Sequence, residues 1–217
     1  QNTLENYVSR FNKLEVIVNK TYYCNVKWKD SIYAPQSKLG SEKLRDIAMS
    51  KEDMKKIDAV IMNSKSEGKT GIFLAKNYGL RAEECCTIQA RNVDLINMKL
   101  SILGKGGRWR TLDIKEDDKS KFQEILKGKT NKDRLCNLQE RSLQKFLERA
   151  EVKAGIREKY KSKNTGMHAI RKMYATENYK EYIEKGYSHK EAWGKVLTQL
   201  GHGMDRAELF RTYVILK

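Results

Sequence analysis

The sequence contains no run of about 18 consecutive apolar residues, the length a helix needs to cross a bilayer. It shows no signal-peptide pattern either, so neither a membrane span nor a secretory leader is expected from it. Cysteine is scarce: Cys24, Cys85, Cys86 and Cys136 form no C-x-x-C pair and have no histidine at ligand distance. That argues against a zinc site and against a disulfide framework, and the adjacent Cys85 and Cys86 are poorly placed to bridge each other. Reduced structural thiols in a cytoplasmic protein are the expectation. Proline occurs once, at Pro35, and no internal repeat or low-complexity tract interrupts the chain. Acidic residues also run short: 28 stand against 44 Lys and Arg, leaving a net charge of +16. An excess of this size exceeds what solubility requires and is the electrostatic footprint of a nucleic-acid binder.

What is present is mostly helical periodicity. With 217 residues the chain can bury a full core and hold one domain plus part of another. Leu4, Tyr7, Val8, Phe11, Leu14, Ile17 and Val18 fall on one stripe of a helix over 3–19. From Thr21 to Lys43 the sequence is tyrosine-rich, basic and weakly periodic, and it reads as a connector with a boundary near 40–47. Residues 1–45 are assigned to a first segment and 46–217 to a second domain. Ser50-Lys51-Glu52-Asp53 resembles a capping box opening a helix that carries Met54, Ile57, Val60 and Ile61. Further helices are predicted over 71–78, stopping at Gly79, and over 80–89. Leu100 to Leu103 and Trp109 to Ile114 flank Gly104-Lys105-Gly106-Gly107, a hairpin signal. Helices over 119–127, 140–154, 167–183, 189–200 and 205–215 follow. Ser188-His189-Lys190-Glu191 caps the fourth of these, and Gly155 and Gly201 mark stops. The expected fold class is mostly α with one small antiparallel β-sheet.

The residues suited to chemistry come in a definite order. Arg81 lies in Gly79-Leu80-Arg81-Ala82-Glu83-Glu84, Lys105 at the hairpin tip, His168 three residues before Arg171, His202 after Leu200-Gly201, and Tyr213 in the last predicted helix. His168 and Arg171 project from one helix face at that spacing. Gly201 suits the left-handed turn that ends a helix, leaving His202 at the mouth of the next loop. Singly, each has a plainer reading. These are a solvated helix face for His168 and Arg171, a salt bridge to Glu83 or Glu84 for Arg81, an ordinary loop histidine for His202, and a half-buried ring anchor for Tyr213. Together and in this order they resemble the tyrosine recombinase family, the integrases and resolvases that cut DNA with a tyrosine. Members carry Gly-Leu-Arg-x-x-Glu, a hairpin lysine, His-x-x-Arg, Leu-Gly-His or Leu-Gly-Trp, and a C-terminal tyrosine; all five patterns match within residues 46–215. The interval from His202 to Tyr213 is longer than in many members.

The roles follow from the chemistry of a phosphodiester, whose non-bridging oxygens gain charge as phosphorus becomes pentacoordinate. Arg81 and Arg171 offer planar, permanently charged forks for those oxygens, and without a metal such a clamp carries most of the electrostatic stabilisation. Glu84 is expected to orient an arginine or a histidine. Tyr213 is the expected nucleophile, and because a free phenol titrates near pH 10 it needs help to lose its proton. His168 is the expected base or orienting acceptor, as the resemblance also implies. His202 is expected to donate to a non-bridging oxygen, and Lys105, set between Gly104 and Gly106, to protonate the departing 5′ oxygen. A bare phosphate contact is the alternative for Lys105. Arg108, Arg110, Lys159, Lys161, Lys163 and Lys172 are assigned to positioning phosphates.

The resemblance implies a site-specific recombinase or integrase that forms a 3′-phosphotyrosine and frees a 5′ hydroxyl, which attacks the exchanged strand. Bond energy stays in the covalent link, so neither ATP, a metal nor any other cofactor is required. The implied partner is a double-stranded DNA recombination site, held as two duplexes by a homotetramer, in a prokaryotic cytoplasm at the nucleoid and away from membranes. The first segment, with Arg10, Lys13 and Lys20, would be the tail of a core-binding domain. The family's usual module is longer than residues 1–45, so the chain is read as a piece of a longer protein. Two alternatives remain: a type IB topoisomerase-like nicking enzyme, similar in fold and residues, and a DNA-binding protein without catalysis.

Overall fold

The computed structural model describes residues 2–28, 47–161, 166–203 and 206–216. The chain divides into two units, 1–43 and 44–217, each with its own internal packing. In the first, α1 (Asn2–Tyr22) is longer at both ends than its apolar stripe predicts. The Asn19 side chain closes the segment that follows: its Nδ2 donates to the Val26 carbonyl at 2.8 Å, and its Oδ1 accepts from the Val26 N–H at 2.7 Å. The Trp28 N–H donates to Glu15 Oε2 at 2.5 Å. Of the predicted apolar stripe, Tyr7, Phe11, Leu14 and Ile17 remain exposed. Residues 29–46, which include most of the predicted connector (21–43), lie outside the described residues.

The second unit starts with α2 (Lys51–Ile61), α3 (Gly68–Tyr78) and α4 (Ala82–Thr87). Ser50 accepts the Asp53 N–H at 3.1 Å, which is one half of a capping box. Asp53 does not return the bond. Its carboxylate instead takes the Tyr160 hydroxyl at 2.8 Å and the Lys159 ammonium at 3.0 Å, tying the start of α2 to α7 (Arg157–Tyr160). Helix α3 begins before the predicted 71, and its two glycines, Gly68 and Gly71, poor helix formers, face side chains of α6 (Glu140–Lys153). A methyl group at Gly68 would sit 2.5 Å from the Phe146 ring, and one at Gly71 2.7 Å from Leu143.

Strands β1 (Val93–Asp94), β2 (Lys99–Leu103) and β3 (Trp109–Asp113) form an antiparallel sheet in the order β1-β2-β3, with Leu100 opposite Leu112 and Ile102 opposite Arg110. The two-residue β1 is too short to carry an alternating pattern. After the sheet come α5 (Lys119–Leu126), α6, α7, α8 (Gly166–Glu184), α9 (His189–Gln199) and α10 (Phe210–Tyr213). The last is shorter than the predicted 205–215, because Ala207–Leu209 form a 3-10 turn ahead of it.

Helix α8 runs through the middle of the unit. Met167, Ala169 to Thr176 and Tyr179 are all buried, so the first half of the helix is covered on nearly every side. A helix covered all round belongs between other helices, and α8 packs on α3, α6 and α9. One core joins α2 to α6, the sheet and the start of α8. A second joins the rest of α8 to α9 and α10. The motif residues of α8 sit where the two meet.

Candidate active site

The site begins at the break between α3 and α4. Gly79 closes α3 in the left-handed region (φ 63°), and its N–H donates to the Ala75 carbonyl at 3.1 Å. Any Cβ there would also lie 2.4 Å from the Tyr174 ring, so glycine is demanded twice. The chain then straightens at Arg81 (φ −70°, ψ 156°), which precedes α4 instead of lying inside it as the sequence predicts. Glu84 reaches back to this residue. Its Oε2 accepts the Arg81 N–H at 2.8 Å, and its Oε1 accepts from Arg81 Nη1 at 2.9 Å.

Glu84 is also held from the sheet. Arg110 Nη1 and Nη2 donate to its two carboxylate oxygens, each at 2.8 Å, and Arg171 Nη1 lies 3.8 Å from Oε2. Three guanidinium groups thus surround one carboxylate that is only 4% exposed. Burial alone would raise the pKa of Glu84. The hydrogen bonds and charge of Arg110, with the Arg81 N–H and Arg171, overcome this and hold it at about 2.

Arg171 is 1% exposed and donates to the backbone carbonyls of Gly79 and Leu200. Burial, and then the charge of Arg81, brings its pKa down to about 10, so it stays cationic at neutral pH. Its guanidinium carbon lies 5.7 Å from the centre of the Tyr213 ring. Its buried Nε has no hydrogen-bond partner among the described residues.

His202 follows Gly201, whose φ of 70° supplies the helix-ending turn. The His202 N–H donates to the Leu197 carbonyl at 2.9 Å. Its Nε2 lies 3.1 Å from Arg81 Nη2 and 3.2 Å from the Tyr213 hydroxyl. A guanidinium can only donate, so Nε2 is the acceptor here and the ring proton sits on Nδ1. Donation from this nitrogen to a phosphate oxygen, the role expected of His202, requires it to carry the N–H instead. Burial, followed by Arg81 and Arg171, pushes His202 down to about 4, leaving it neutral at neutral pH. The rings of His168 and His202 lie 5.4 and 5.3 Å from the Tyr213 ring.

Tyr213 is 6% exposed. Its carbonyl accepts from Thr176 Oγ1 at 3.4 Å, and the same hydroxyl accepts the Ile215 N–H at 3.1 Å, docking the chain end on α8. Thr176 is a positioning residue that the sequence reading missed. It lies eight residues after His168 in the same helix, about 80° round the helix from it.

The structure therefore brings Arg81, Glu84, His168, Arg171, His202 and Tyr213 together. Lys105 stands apart from that bonded cluster, exposed at the tip of the β2–β3 hairpin, where Gly106 and Gly107 adopt φ of 80° and 75°. Arg108 is exposed on the same hairpin. Two residues assigned to phosphate positioning are turned inward. The Arg110 side chain is 8% exposed and spent on Glu84 and the Gln199 carbonyl. Lys172 is 1% exposed because this part of α8 is covered on nearly every side. The alternation of β3 held the signal for Arg110, which shares parity with Leu112 and so faces the protein. Lys159 is tied to Asp53, exposed Lys161 lies 3.4 Å from Glu158, and Lys163 is outside the described residues. Among the described residues no group of three or more His, Cys, Asp or Glu could hold a metal ion.

No protein-family model and no curated protein matches the chain. Solved structures do. XerH site-specific recombinase bound to difH substrate, in a pre-cleavage complex, shares 21% identity at a TM-score of 0.63, over 98% of this chain and 61% of that one. A lambda integrase dimer bound to a COC′ core site shares 17% at 0.61, over 96% and 62%. XerA recombinase shares 17% at 0.58, over 92% and 67%. The chain thus spans less than two thirds of the XerH and lambda integrase chains. At these identities the likeness is one of fold, and the fold is that of the tyrosine recombinase catalytic domain.

Proposed function

We propose that residues 46–217 are the catalytic domain of a site-specific recombinase or integrase that cleaves and rejoins DNA through a 3′-phosphotyrosine. The observation that carries this reading is the meeting of groups at the Tyr213 phenol. His202 Nε2 lies within 3.2 Å of its oxygen, while Arg171 and His168 lie against its ring. In the proposed reaction the phenol oxygen attacks phosphorus, and the bond to the 5′ oxygen breaks. Arg81 and Arg171 hold the non-bridging oxygens, and Lys105 protonates the leaving oxygen. The phenol proton passes to His168, whose ring lies against that of Tyr213, and His202 stands beside Arg81 at the non-bridging oxygens. A 5′ hydroxyl from the exchanged strand then attacks the phosphotyrosine and reverses the chemistry.

The partner in this reading is double-stranded DNA, with four copies of the protein on two duplexes, in a prokaryotic cytoplasm. The net charge of +16 and the exposed Lys105 and Arg108 support DNA as the ligand. Among the described residues no helix is long and apolar enough to cross a membrane. Residues 1–45 are proposed as the tail of a core-binding domain. The exposed apolar side chains of α1 suit a helix that belongs to a larger module.

The test is covalent capture. The protein is incubated with a pool of random-sequence duplexes, each nicked so that cleavage releases a short strand and cannot reverse. Protein-linked DNA is then isolated on a denaturing gel and sequenced. A Tyr213-linked adduct on a recurring sequence, followed by joining of two duplexes that carry it, is the expected result. Adducts that reseal but never join two duplexes would favour a topoisomerase-like enzyme. No adduct from any pool would leave a DNA-binding protein without catalysis.

A further inference from the structure

Arg110 is the most heavily engaged cation of the hairpin, and the recombinase reading gives it no part. A guanidinium has five N–H donors in a rigid fork. Arg110 directs Nε to the Gln199 carbonyl at 3.0 Å and one hydrogen from each terminal nitrogen to Glu84 at 2.8 Å. One side chain thereby joins three segments: β3, which carries the Lys105 hairpin; α4, whose Glu84 holds Arg81; and the end of α9, which leads into His202. Lysine could not replace it, since a single ammonium cannot span both carboxylate oxygens and the carbonyl.

The surrounding glycines are shaped to this fork. A methyl group at Gly201 would lie 2.9 Å from Arg110 Nη1 and 3.1 Å from its Cδ. One at Gly104 would lie 3.2 Å from Nη1 and 3.3 Å from the Arg108 carbonyl. Gly201 needs glycine for its left-handed backbone in any case. Gly104 has no such backbone requirement, so the close approach of Arg110 and of the hairpin's own backbone is what favours glycine there. The hairpin closes on that same residue, through the Gly104 N–H to the Arg108 carbonyl at 2.8 Å.

We propose that Arg110 is a positioning residue that ties the base of the Lys105 hairpin to Glu84 and to the turn before His202, so that the proton donor is held in register with the phosphate clamp. The catalytic consequence rests on the recombinase reading; the tie itself does not.

Two variants test it. Arg110→Lys keeps the charge and loses the fork. Gly104→Ala keeps every charge and pushes the hairpin base off Arg110. Hydrogen exchange reads the tie directly. In either variant the amides of Gly104, Gly107 and His202 should exchange at least about tenfold faster while those of α3 keep their rate, as expected when one local unit opens alone. Uniform acceleration, or none, overturns the proposal.

Single-turnover cleavage of the duplex recovered by capture reads the consequence. A misplaced group can cost about 10²-fold, and both variants should slow by this order. Most of the loss should return when sulfur replaces the bridging 5′ oxygen, because that leaving group needs no proton. Adding Lys105→Ala to Arg110→Lys should cost little more than Lys105→Ala alone. Equal defects on both substrates, or fully additive losses, would make Arg110 a structural residue only. If the wild-type protein forms no adduct, the recombinase reading fails by itself, and the exchange rates still decide whether Arg110 ties the hairpin.

Discussion

Arg81 and Arg110 hydrogen-bond to Glu84, Arg171 lies 3.8 Å from it, and His202 and then Tyr213 follow through Arg81, with most of these side chains nearly closed to solvent. Lys105, on the hairpin beside them, is exposed on a glycine turn and belongs to no part of that network. The two regions suit different tasks. Charge that develops on a phosphate is best met by donors already in place, since reorienting them during reaction would cost free energy. Holding several guanidiniums together requires a buried counter-charge, and Glu84 supplies it. A proton donor, in contrast, has to approach an oxygen that moves as its bond breaks, and a long side chain on an open turn can follow it.

The largest expected effect falls on the cluster. Tyr213→Phe should abolish covalent capture and leave DNA affinity unchanged in a mobility-shift assay, because only the attacking oxygen is lost. An adduct that persists would move the nucleophile out of the cluster. Next come the arginines. Arg171→Ala and Arg81→Ala should each cost about 10²–10³ in single-turnover cleavage, the loss typical of one transition-state donor. They should differ in stability. Removing Arg171 leaves the buried Gly79 and Leu200 carbonyls without donors, at about 1–3 kcal/mol each, whereas Arg81 is 27% exposed and should unfold at nearly the wild-type temperature. Equal thermal midpoints would show that the cluster is less rigid than its contacts imply.

Lys105→Ala separates the two regions most sharply. It should slow cleavage by about 10²–10⁴, the usual worth of a general acid, without lowering the thermal midpoint. Full recovery on sulfur-bridged DNA is expected for this variant and not for Arg171→Ala. An unrecovered defect would reduce Lys105 to a phosphate contact.

The smallest effect is a pH dependence confined to the cluster. His202 is lowered from 6.5 to about 4 in the folded protein, so the unfolded chain binds its proton first. The stability this contributes is complete above pH 6.5 and is lost as pH falls through that value towards 4. Glu84, lowered from 4.5 to about 2, loses its contribution only below pH 4.5, so the two windows separate. The drop in thermal midpoint between pH 7 and pH 5 should be smaller in His202→Asn than in the wild type; identical drops would assign the titration to another group.

Much of this was legible along the chain. Helices α2, α5, α6, α8 and α9 follow their apolar spacing to within a few residues, and Gly79, Gly155 and Gly201 stop helices because left-handed backbone favours glycine. These are local preferences, and local sequence expresses them. The order of Arg81, Lys105, His168, Arg171, His202 and Tyr213 was readable for the same reason, since order survives whatever the fold does. Their distances were not. That Arg81 lies 3.1 Å from His202 across 121 positions of chain depends on how α3, α8 and α9 pack. The same packing turned Arg110 and Lys172 inward. A basic residue in an isolated segment belongs to water by default, and only neighbouring segments can bring a carboxylate, a carbonyl or a covering helix to it. Sequence by itself determined the elements, the turns and the inventory of reactive groups; tertiary structure alone decided which of those charges meet, because burial and electrostatic pairing are properties of segments brought together and not of any one of them.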